Sequence, residues 1–376
     1  MLKIKISKRD FFGKILFIMF AISWGYGEYI DNINDDFKYI FALINMGVIV
    51  GTIIIKRKKL KEMFLYKELK QIAQLAIFSA VISVFLQLIN GRFLIIAYKE
   101  IFYLLFPIVY AFLLWNNKED NVDFYFNTML IVFVACFFLK FKSIFSLNNI
   151  LNISFKSSYS AFESPYSSIF LQLFIYYFYR KNKKFYLISA FFCFLSLKRL
   201  DLLFLIAFPF IYKICNNKKF STKQINIIKL FFILSPFLIK FMYSNEFTNY
   251  LKLNYNISLN ELTTGRVRLM QYLMNSNLKN SGLGTIEQYL IDLTGETNLH
   301  CDMYKFYFET TIIGVIILVN NYFNIVKENK TLTFVMLYLF FTMLFSHCIT
   351  SVMMWFLFFM TVGYVKKNEN LKRGDN

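Results

Sequence analysis

The sequence predicts an all-α, polytopic integral membrane protein. The chain of 376 residues is 57% hydrophobic and 20% aromatic, whereas only 17% of its residues are charged. Soluble domains contain about 25% charged residues, so this composition excludes a water-soluble fold. The hydrophobic residues form long runs, and most of the 42 Lys and Arg residues lie between those runs. Apolar runs bounded by cations are typical of membrane-spanning chains.

Twelve apolar segments predict about twelve transmembrane helices. A helix needs about 20 mainly apolar residues to cross a hydrocarbon core of about 30 Å, because no water there can satisfy its backbone. The seventh, eighth and twelfth segments are shorter than this length. The predicted spans cover residues 11–28, 37–55, 71–89, 93–115, 123–141, 163–179, 185–198, 200–215, 225–243, 303–325, 331–347 and 351–365.

The distribution of Lys and Arg predicts the orientation of these helices. With the N-terminus in the cytoplasm, twenty-six of these cations lie in cytoplasmic loops and tails and nine lie on the opposite side. Cytoplasmic loops retain positive charge during insertion. We therefore expect both termini to be cytoplasmic.

A polar stretch divides the chain into three parts. We expect about nine spans in residues 1–243, a large external loop in 244–302, and about three spans with a basic cytoplasmic tail in 303–376. Within the loop, apolar residues at helical spacing predict two short helices, over 266–275 and 285–293. Loops of this length tend to carry function, so we expect functional residues in it.

Four side chains on the expected external face suit the binding of a diphosphate and the activation of a hydroxyl group. Arginine makes two charge-assisted hydrogen bonds at once and keeps its charge. Histidine, whose ordinary pKa is about 6.5, is the natural proton acceptor at neutral pH. The alternative roles are lipid-headgroup anchors for Arg199 and Arg266, a scaffold role for Arg268 and an interfacial polar residue for the histidine. The four candidates are Arg199, Arg266, Arg268 and His300.

Two charged residues lie inside the predicted fourth span. Lys99 and Glu100 would each cost about 2.5 to 3.5 kcal/mol if they were unpaired at the centre of a bilayer. We therefore expect both side chains to face a polar cavity. That cavity would hold either a substrate or a structural ion pair.

The cysteines and histidines show no spacing typical of a metal site or a disulfide framework. The five Cys contain no C-x-x-C pair, and His300 and His347 are the only histidines. Zinc sites and disulfide-rich folds require such patterns. We expect no metal and no cofactor, and we assign His347 a structural role.

Four short stretches, in this order along the chain, resemble the O-antigen polymerase and ligase superfamily. Residues 196–199 (SLKR) resemble its S-x-S-R turn, 264–266 (TGR) its T-G-R, and 282–284 (GLG) its G-x-G. Residues 300–314 (HCDMYKFYFETTIIG) resemble its H-N-x-x-L…E-x-G-x-x-G stretch. The part of the chain that carries these stretches is about a third of its length.

Three positions differ from the family's pattern. Cys301 stands where Asn is usual, Thr311 where the first Gly of the helix is usual, and Lys198 where a small residue is common. The matching histidine and glutamate are His300 and Glu309, and the resemblance implies that Glu309 orients the loop helix.

The resemblance implies a polymerase of oligosaccharide repeat units for an O-antigen, capsule or exopolysaccharide. Its substrate would be a polyprenyl-diphosphate-linked oligosaccharide at the outer face of the bacterial plasma membrane. The implied reaction is an inverting glycosyl transfer without a metal, with His300 as the catalytic base. A chain-length regulator would be a protein partner, whereas nucleic acid is not expected. The implied substrate-binding residues are Arg199, Arg266, Arg268, Lys99, Glu100 and Glu309.

Three other interpretations remain open at this point. An O-antigen ligase would use the same donor and the same base. A flippase or exporter of the lipid-linked glycan would also need many spans and a cationic cavity, although transporters usually show internal repeats. A transferase of polyprenyl-monophosphate sugars would take its base from the first external loop, which contains Asp31, Asp35 and Asp36.

Overall fold

The computed structural model describes residues 8–29, 36–55, 59–117, 121–153, 160–215, 218–263, 265–295 and 299–374. Within these ranges the chain is helical, with turns and short connections and without a β-strand. The predicted all-α class is confirmed for this part of the chain.

Seventeen α-helices follow one another in the described ranges, and a short 3-10 turn, Leu60–Glu62, precedes the third. The helices are α1 (Lys8–Tyr29), α2 (Asp36–Ile55), α3 (Tyr66–Asn90), α4 (Ile96–Asn117), α5 (Val122–Phe141), α6 (Leu147–Leu151), α7 (Tyr166–Tyr179), α8 (Lys183–Leu195), α9 (Arg199–Cys215), α10 (Thr222–Met242), α11 (Asn245–Tyr255), α12 (Leu259–Leu262), α13 (Arg266–Asn275), α14 (Thr285–Thr294), α15 (Asp302–Val326), α16 (Lys330–Phe345) and α17 (Val352–Gly374).

Each predicted span coincides with one helix, from the set α1–α5, α7–α10 and α15–α17. Among the described residues, α3, α4, α5, α10 and α15 are long and apolar enough to cross a membrane. Shorter apolar stretches lie in α1, α2 and α16. These helices indicate a multi-pass membrane protein, and the number of twelve crossings remains a prediction.

Large apolar side chains are exposed along several of these helices. On α3, Ile77, Val81 and Leu88 are each more than 60% exposed, and Phe241 on α10 is 61% exposed. A helix surrounded by water buries such side chains against its own domain, whereas a helix surrounded by lipid has no need to. The exposed apolar faces thus agree with a membrane environment.

The chain forms two compact units, each made of separated segments. The first unit contains Met1–Tyr66, Ile108–Phe210 and Met353–Asn376, and the second contains Lys67–Pro107 and Ile211–Val352. The three-part division predicted from the sequence concerns the membrane layout and remains a prediction.

Aromatic side chains form the core of the first unit. Here α1 packs against α2 and α5, and α7 packs against α5 and α8. The rings of Phe17, Phe20, Tyr110 and Phe356 lie with their centroids 4.6 to 6.4 Å apart. Such stacked, tilted and edge-to-face pairs stabilise a core beyond the burial of their surface.

In the second unit, α15 packs against α10, α14 and α16. The rings of Phe232 on α10, Phe323 on α15 and Phe340 on α16 form its aromatic centre, with centroids 5.0 to 5.7 Å apart. Helix α16 begins at the cap residue Asn329, whose side chain accepts a hydrogen bond of 2.9 Å from the amide of Leu332. This packing holds the second half of α15 against α10 and α16, and the polar side chains described below lie around its first half.

Among the described residues of the stretch 244–302, four helices, α11 to α14, precede α15, whereas two were predicted. Helices α13 and α14 confirm the predicted helices within one residue, whereas α11 and α12 were missed. Helix α11 buries none of its side chains, but Phe247, Tyr250 and Leu251 have helical spacing, so the sequence does contain a pattern that predicts this helix. Its start is also marked by Ser244, whose hydroxyl accepts a hydrogen bond from the amide of Phe247.

Candidate functional site

Buried charged side chains of the second unit surround the start of α15. Lys305 on α15 forms an ion pair with Glu100 on α4, and the two side chains are only 5% and 7% exposed. A second carboxylate, that of Glu287 on α14, lies 3.7 Å from the same Nζ atom. A buried charge is tolerated only when it is paired, so this cluster links three helices.

Glu309, one turn further along α15, binds the start of α14. Its side chain is fully buried, and its Oε1 atom accepts a hydrogen bond of 2.9 Å from the backbone amide of Ile286. A carboxylate in this position satisfies a free amide and complements the positive end of the helix dipole. A second link comes from Asn280, whose side-chain amide donates to the carbonyl of Phe308 over 2.6 Å. Helix α14 is thereby oriented by α15.

Two glycines bring the chain before α14 against α3 and α4. Gly282 and Gly284 have φ angles of 89° and 77°, which residues with a Cβ atom rarely adopt. A Cβ atom at Gly284 would lie 2.8 Å from Cγ2 of Ile96, and one at Gly282 would overlap with the backbone of Ser83. The hydroxyl of Ser83 also accepts a hydrogen bond of 3.0 Å from the amide of Leu283. Close backbone approach therefore explains both glycines.

Helix α15 is interrupted at Thr311. Its backbone has φ 68° and ψ 178°, a region that glycine occupies almost exclusively. This is the position at which the pattern of the resembled superfamily has glycine. The chain thus keeps a glycine-like backbone at a position where it has threonine.

A buried aspartate at the start of α15 orients a histidine in the turn between α16 and α17. Oδ1 of Asp302 lies 2.7 Å from Nδ1 of His347, and its Oδ2 accepts hydrogen bonds of 2.6 Å from the amides of Cys348 and Ile349. On the other side of the ring, Nε2 lies 2.6 Å from the hydroxyl of Thr350. The aspartate is 1% exposed and the histidine 20%. A carboxylate, an imidazole and a hydroxyl are thus hydrogen-bonded in sequence, and the imidazole is partly exposed to solvent.

Arg266, the first residue of α13, lies beside the two segments that carry the histidines. Its guanidinium donates a hydrogen bond to the carbonyl of Phe345, two residues before His347. It also lies close to Cys301: burial raises the pKa of this thiol to about 12, and the positive charge of Arg266 opposes the rise.

A small cavity lies among these polar groups. The cavity is large enough for about one water molecule and far too small for a sugar ring. A substrate would have to bind outside it, where His347 and Arg266 are partly exposed. The polar residues that line the cavity are Glu100, Asp302, Lys305, Glu309 and Thr350.

The structure separates the two neighbours that the sequence had placed together in a polar cavity. Glu100 lines the cavity, but Lys99 is exposed and lies over the ring of Tyr103, 5.8 Å from its centroid. Lys99 therefore does not share this cavity with Glu100, because consecutive side chains on a helix point about 100° apart, and its role in substrate binding stays a prediction. The cation that compensates Glu100 is Lys305 instead.

The remaining predicted residues lie at different places. His300 is half-buried and has φ 55°, immediately before the cap residue Cys301. Arg268 is exposed on α13, and its backbone amide donates to the side chain of Asn260 over 3.1 Å. Arg199 is exposed at the start of α9, in the first unit. The structure brings together Arg266, Glu309 and Glu100 with the start of α15.

Some residues named in the sequence analysis lie outside the part of the chain that the structure describes. These are Asp31 and Asp35 of the first loop, Thr264 of the T-G-R stretch, and the side chain of Asp36. The acid-base alternative based on that loop stays a prediction.

Sequence reasoning missed the residues that make most of the site's contacts. Lys305 and Glu287 were given no role, and His347 was taken as structural although it is bound to Asp302. One signal was present: Lys305 and Glu100 are opposite charges inside two predicted spans, where each needs a partner. Nothing comparable marked Asp302 and His347, because both lie at helix ends where polar residues are common.

In comparisons with protein-family models, with curated proteins and with solved structures, the chain matches none of them.

Proposed function

We propose that the chain is a membrane glycosyltransferase that polymerises polyprenyl-diphosphate-linked oligosaccharide repeat units at the outer face of a bacterial plasma membrane. Its product would be an O-antigen, a capsule or an exopolysaccharide. The proposal starts from the resemblance to the O-antigen polymerase and ligase superfamily in residues 196–314.

One observation carries the proposal: the guanidinium of Arg266 is bound to the turn that carries His347, and its positive charge acts on Cys301, the neighbour of His300. A guanidinium can hold a diphosphate through two parallel hydrogen bonds, and an imidazole can take a proton from a hydroxyl group. Glycosyl transfer from a lipid diphosphate to a sugar hydroxyl needs these two functions close together. The site therefore has the components that the reaction requires.

The backbone at the matched positions supports the proposal further. Gly265, Gly282 and Gly284, which belong to the T-G-R and G-x-G stretches, all have positive φ angles. Thr311 has the backbone of the glycine that it replaces in the pattern. Glu309 contacts the loop helix, as the resemblance implies. The matched glycines, Glu309 and Thr311 thus have a physical reason for their residue or their conformation.

The proposed reaction is a single displacement at the anomeric carbon of the donor sugar. The acceptor hydroxyl gives its proton to a histidine, its oxygen bonds to the anomeric carbon, and the bond to the diphosphate breaks. Arg266 stabilises the negative charge that develops on the leaving diphosphate. His300 is the base that the sequence suggests.

Substitution of Arg266 tests the proposal. In cells that contain Arg266→Lys as their only copy, we expect polymer synthesis to fall by about 10²- to 10³-fold, because a point charge cannot reproduce the two-pronged contact. Gel electrophoresis of the polysaccharide would show the loss of long chains, and single repeat units would accumulate on the lipid. Lys252→Gln, an exposed cation of α11, is the matched control and should leave the polymer unchanged.

Two results would contradict the proposal. One is a normal polymer pattern in Arg266→Lys cells that contain a normal amount of the inserted protein. The other is the absence of any change in polysaccharide when the chain is deleted altogether.

A further inference from the structure

His347 has the surroundings that a general base requires. Here one nitrogen is bound to the buried carboxylate of Asp302 and the other to the hydroxyl of Thr350. The ring itself stays 20% exposed, so a second molecule can reach it.

The contacts of Asp302 determine which nitrogen of His347 can accept a proton. Both carboxylate oxygens are already engaged, one by His347 and the other by the amides of Cys348 and Ile349. A carboxylate accepts hydrogen bonds, so Nδ1 of the neutral ring carries the proton and donates it. Nε2 is then the acceptor, and the hydroxyl of Thr350 donates to it over 2.6 Å. The ring is therefore held in the tautomer that a base requires.

The Thr350 hydroxyl shows what kind of group can form a hydrogen bond with Nε2. It is an aliphatic alcohol at hydrogen-bonding distance, and the acceptor hydroxyl of a sugar is chemically the same kind of group. We infer that His347, oriented by Asp302, is the base that takes the proton from the acceptor sugar's hydroxyl, in place of His300. This assignment rests on the proposed function and adds a residue to it.

The proton and electron balance of the step is complete within the site. The acceptor hydroxyl takes the place of the Thr350 hydroxyl at Nε2 of His347, loses its proton to that nitrogen and bonds to the anomeric carbon, while the bond between that carbon and the diphosphate breaks. The electron pair of the broken bond stays on the diphosphate, beside Arg266, which is bound to the carbonyl of Phe345 two residues before His347. Asp302 acts through His347 as a positioning residue, because its charge stabilises the imidazolium that forms.

Chemical rescue distinguishes a base from a structural residue. Wild-type protein and its variants are reconstituted in vesicles of bacterial phospholipid and supplied with lipid-linked oligosaccharide extracted from source cells that lack the chain. We expect His347→Gly to lower the rate of chain extension by about 10²- to 10⁴-fold. The concentration of lipid-linked oligosaccharide that gives half of the maximal rate should stay nearly unchanged. Added imidazole should raise the rate of the His347→Gly variant at least ten-fold, because it can enter the space left by the ring and take the proton.

Two further variants serve as controls. His300→Gly in the same assay should show no gain on addition of imidazole. His347→Gln keeps a side chain that can donate to Asp302 but cannot accept a proton at the same place, so it should unfold near the wild-type temperature and still be inactive. This second variant keeps the test valid if His347→Gly is unstable.

The outcomes are separable. If His347→Gln extends chains within three-fold of the wild-type rate, or if imidazole restores His300→Gly and not His347→Gly, the inference is overturned. A stable His347→Gly protein that is inactive with and without imidazole would also overturn it. If the wild-type protein itself makes no polymer from the lipid-linked oligosaccharide, the proposed function fails, and the base assignment fails with it.

Discussion

Lys305 and Glu100 form an ion pair between two helices that are each apolar enough to cross a membrane, although the residues lie 205 positions apart in the chain. Neither charge could be kept alone in such helices without a cost of several kcal/mol. With Glu287 at 3.7 Å from the same ammonium group, the pair also holds the loop helix α14. The polar cluster therefore fixes a loop helix to two predicted spans.

Removal of the cation from this cluster should destabilise the protein strongly. In Lys305→Met, the carboxylate of Glu100 remains buried without its partner, and the loss of one partner of a buried pair costs about 3 to 5 kcal/mol. Thermal unfolding of the purified protein in detergent would show this as a clear drop in midpoint temperature. The double variant Lys305→Met/Glu100→Leu should recover part of the loss, because it removes the unpaired charge.

A lysine with a neutral partner provides the control for this prediction. Lys229 on α10 donates a hydrogen bond of 2.9 Å to the side chain of Asn324, so Lys229→Met leaves no unpaired carboxylate from that contact. Its midpoint temperature should fall much less than that of Lys305→Met. Equal midpoints for the single and the double variant at Lys305 would show that the ion pair does not carry the stability assigned to it.

The helices could largely be predicted from the sequence, because the length of an apolar run depends only on neighbouring residues. The prediction for residues 71–89 falls within α3, for example. The last helix shows the limit: its predicted span ends at 365, but α17 continues to Gly374. Hydropathy marks where a helix leaves an apolar environment, whereas Lys and Glu are good helix formers and let it continue in water.

Residues of the site could be predicted only where their spacing along the sequence indicates a role. Glu309 was placed by its spacing from His300, and its contact with Ile286 agrees with the role that the resemblance implies. The ion pair of Lys305 and the binding of His347 to Asp302 depend on tertiary packing over 205 and 45 positions. No periodicity in a single sequence reports such distances, and for this reason Lys99 was assigned to the cavity instead of Lys305.

The glycines before α14 allow a prediction that separates backbone conformation from close contact. Gly282→Ala should destabilise the protein by more than Gly295→Ala. Both glycines have positive φ angles, 89° and 73°, so both variants cost about 1 kcal/mol for the left-handed backbone. At Gly295 the added methyl group meets open space, whereas at Gly282 it would overlap with the backbone of Ser83. The difference between the two unfolding midpoints measures the close approach, and equal midpoints would rule it out.

Cys301 should resist thiol reagents in the folded protein. Burial raises the pKa of its thiol from 9.0 to about 12, so the reactive thiolate is scarce at pH 8. The proton is held more tightly in the folded state, so the associated stability is complete below pH 9 and is lost as the pH rises toward 12. Labelling with N-ethylmaleimide at pH 8, followed by mass spectrometry, should give little modification before addition of denaturant and complete modification after it. Rapid labelling of the folded chain would contradict the buried position.

Thr311 should be more stable as glycine, although it lies within a helix. In an ordinary helix, glycine costs up to about 1 kcal/mol relative to other residues, because its backbone loses more conformational entropy on folding. At φ 68° and ψ 178°, however, threonine has a strained backbone that costs about 1 to 3 kcal/mol, and this strain exceeds the entropic cost of glycine. Thr311→Gly should therefore raise the unfolding midpoint. The neighbouring Thr310→Gly should lower it, because Thr310 is fully buried and its hydroxyl donates to the carbonyl of Phe306 over 2.7 Å. If both variants lowered the midpoint equally, Thr311 would have an ordinary helical backbone and the break in α15 would lie elsewhere.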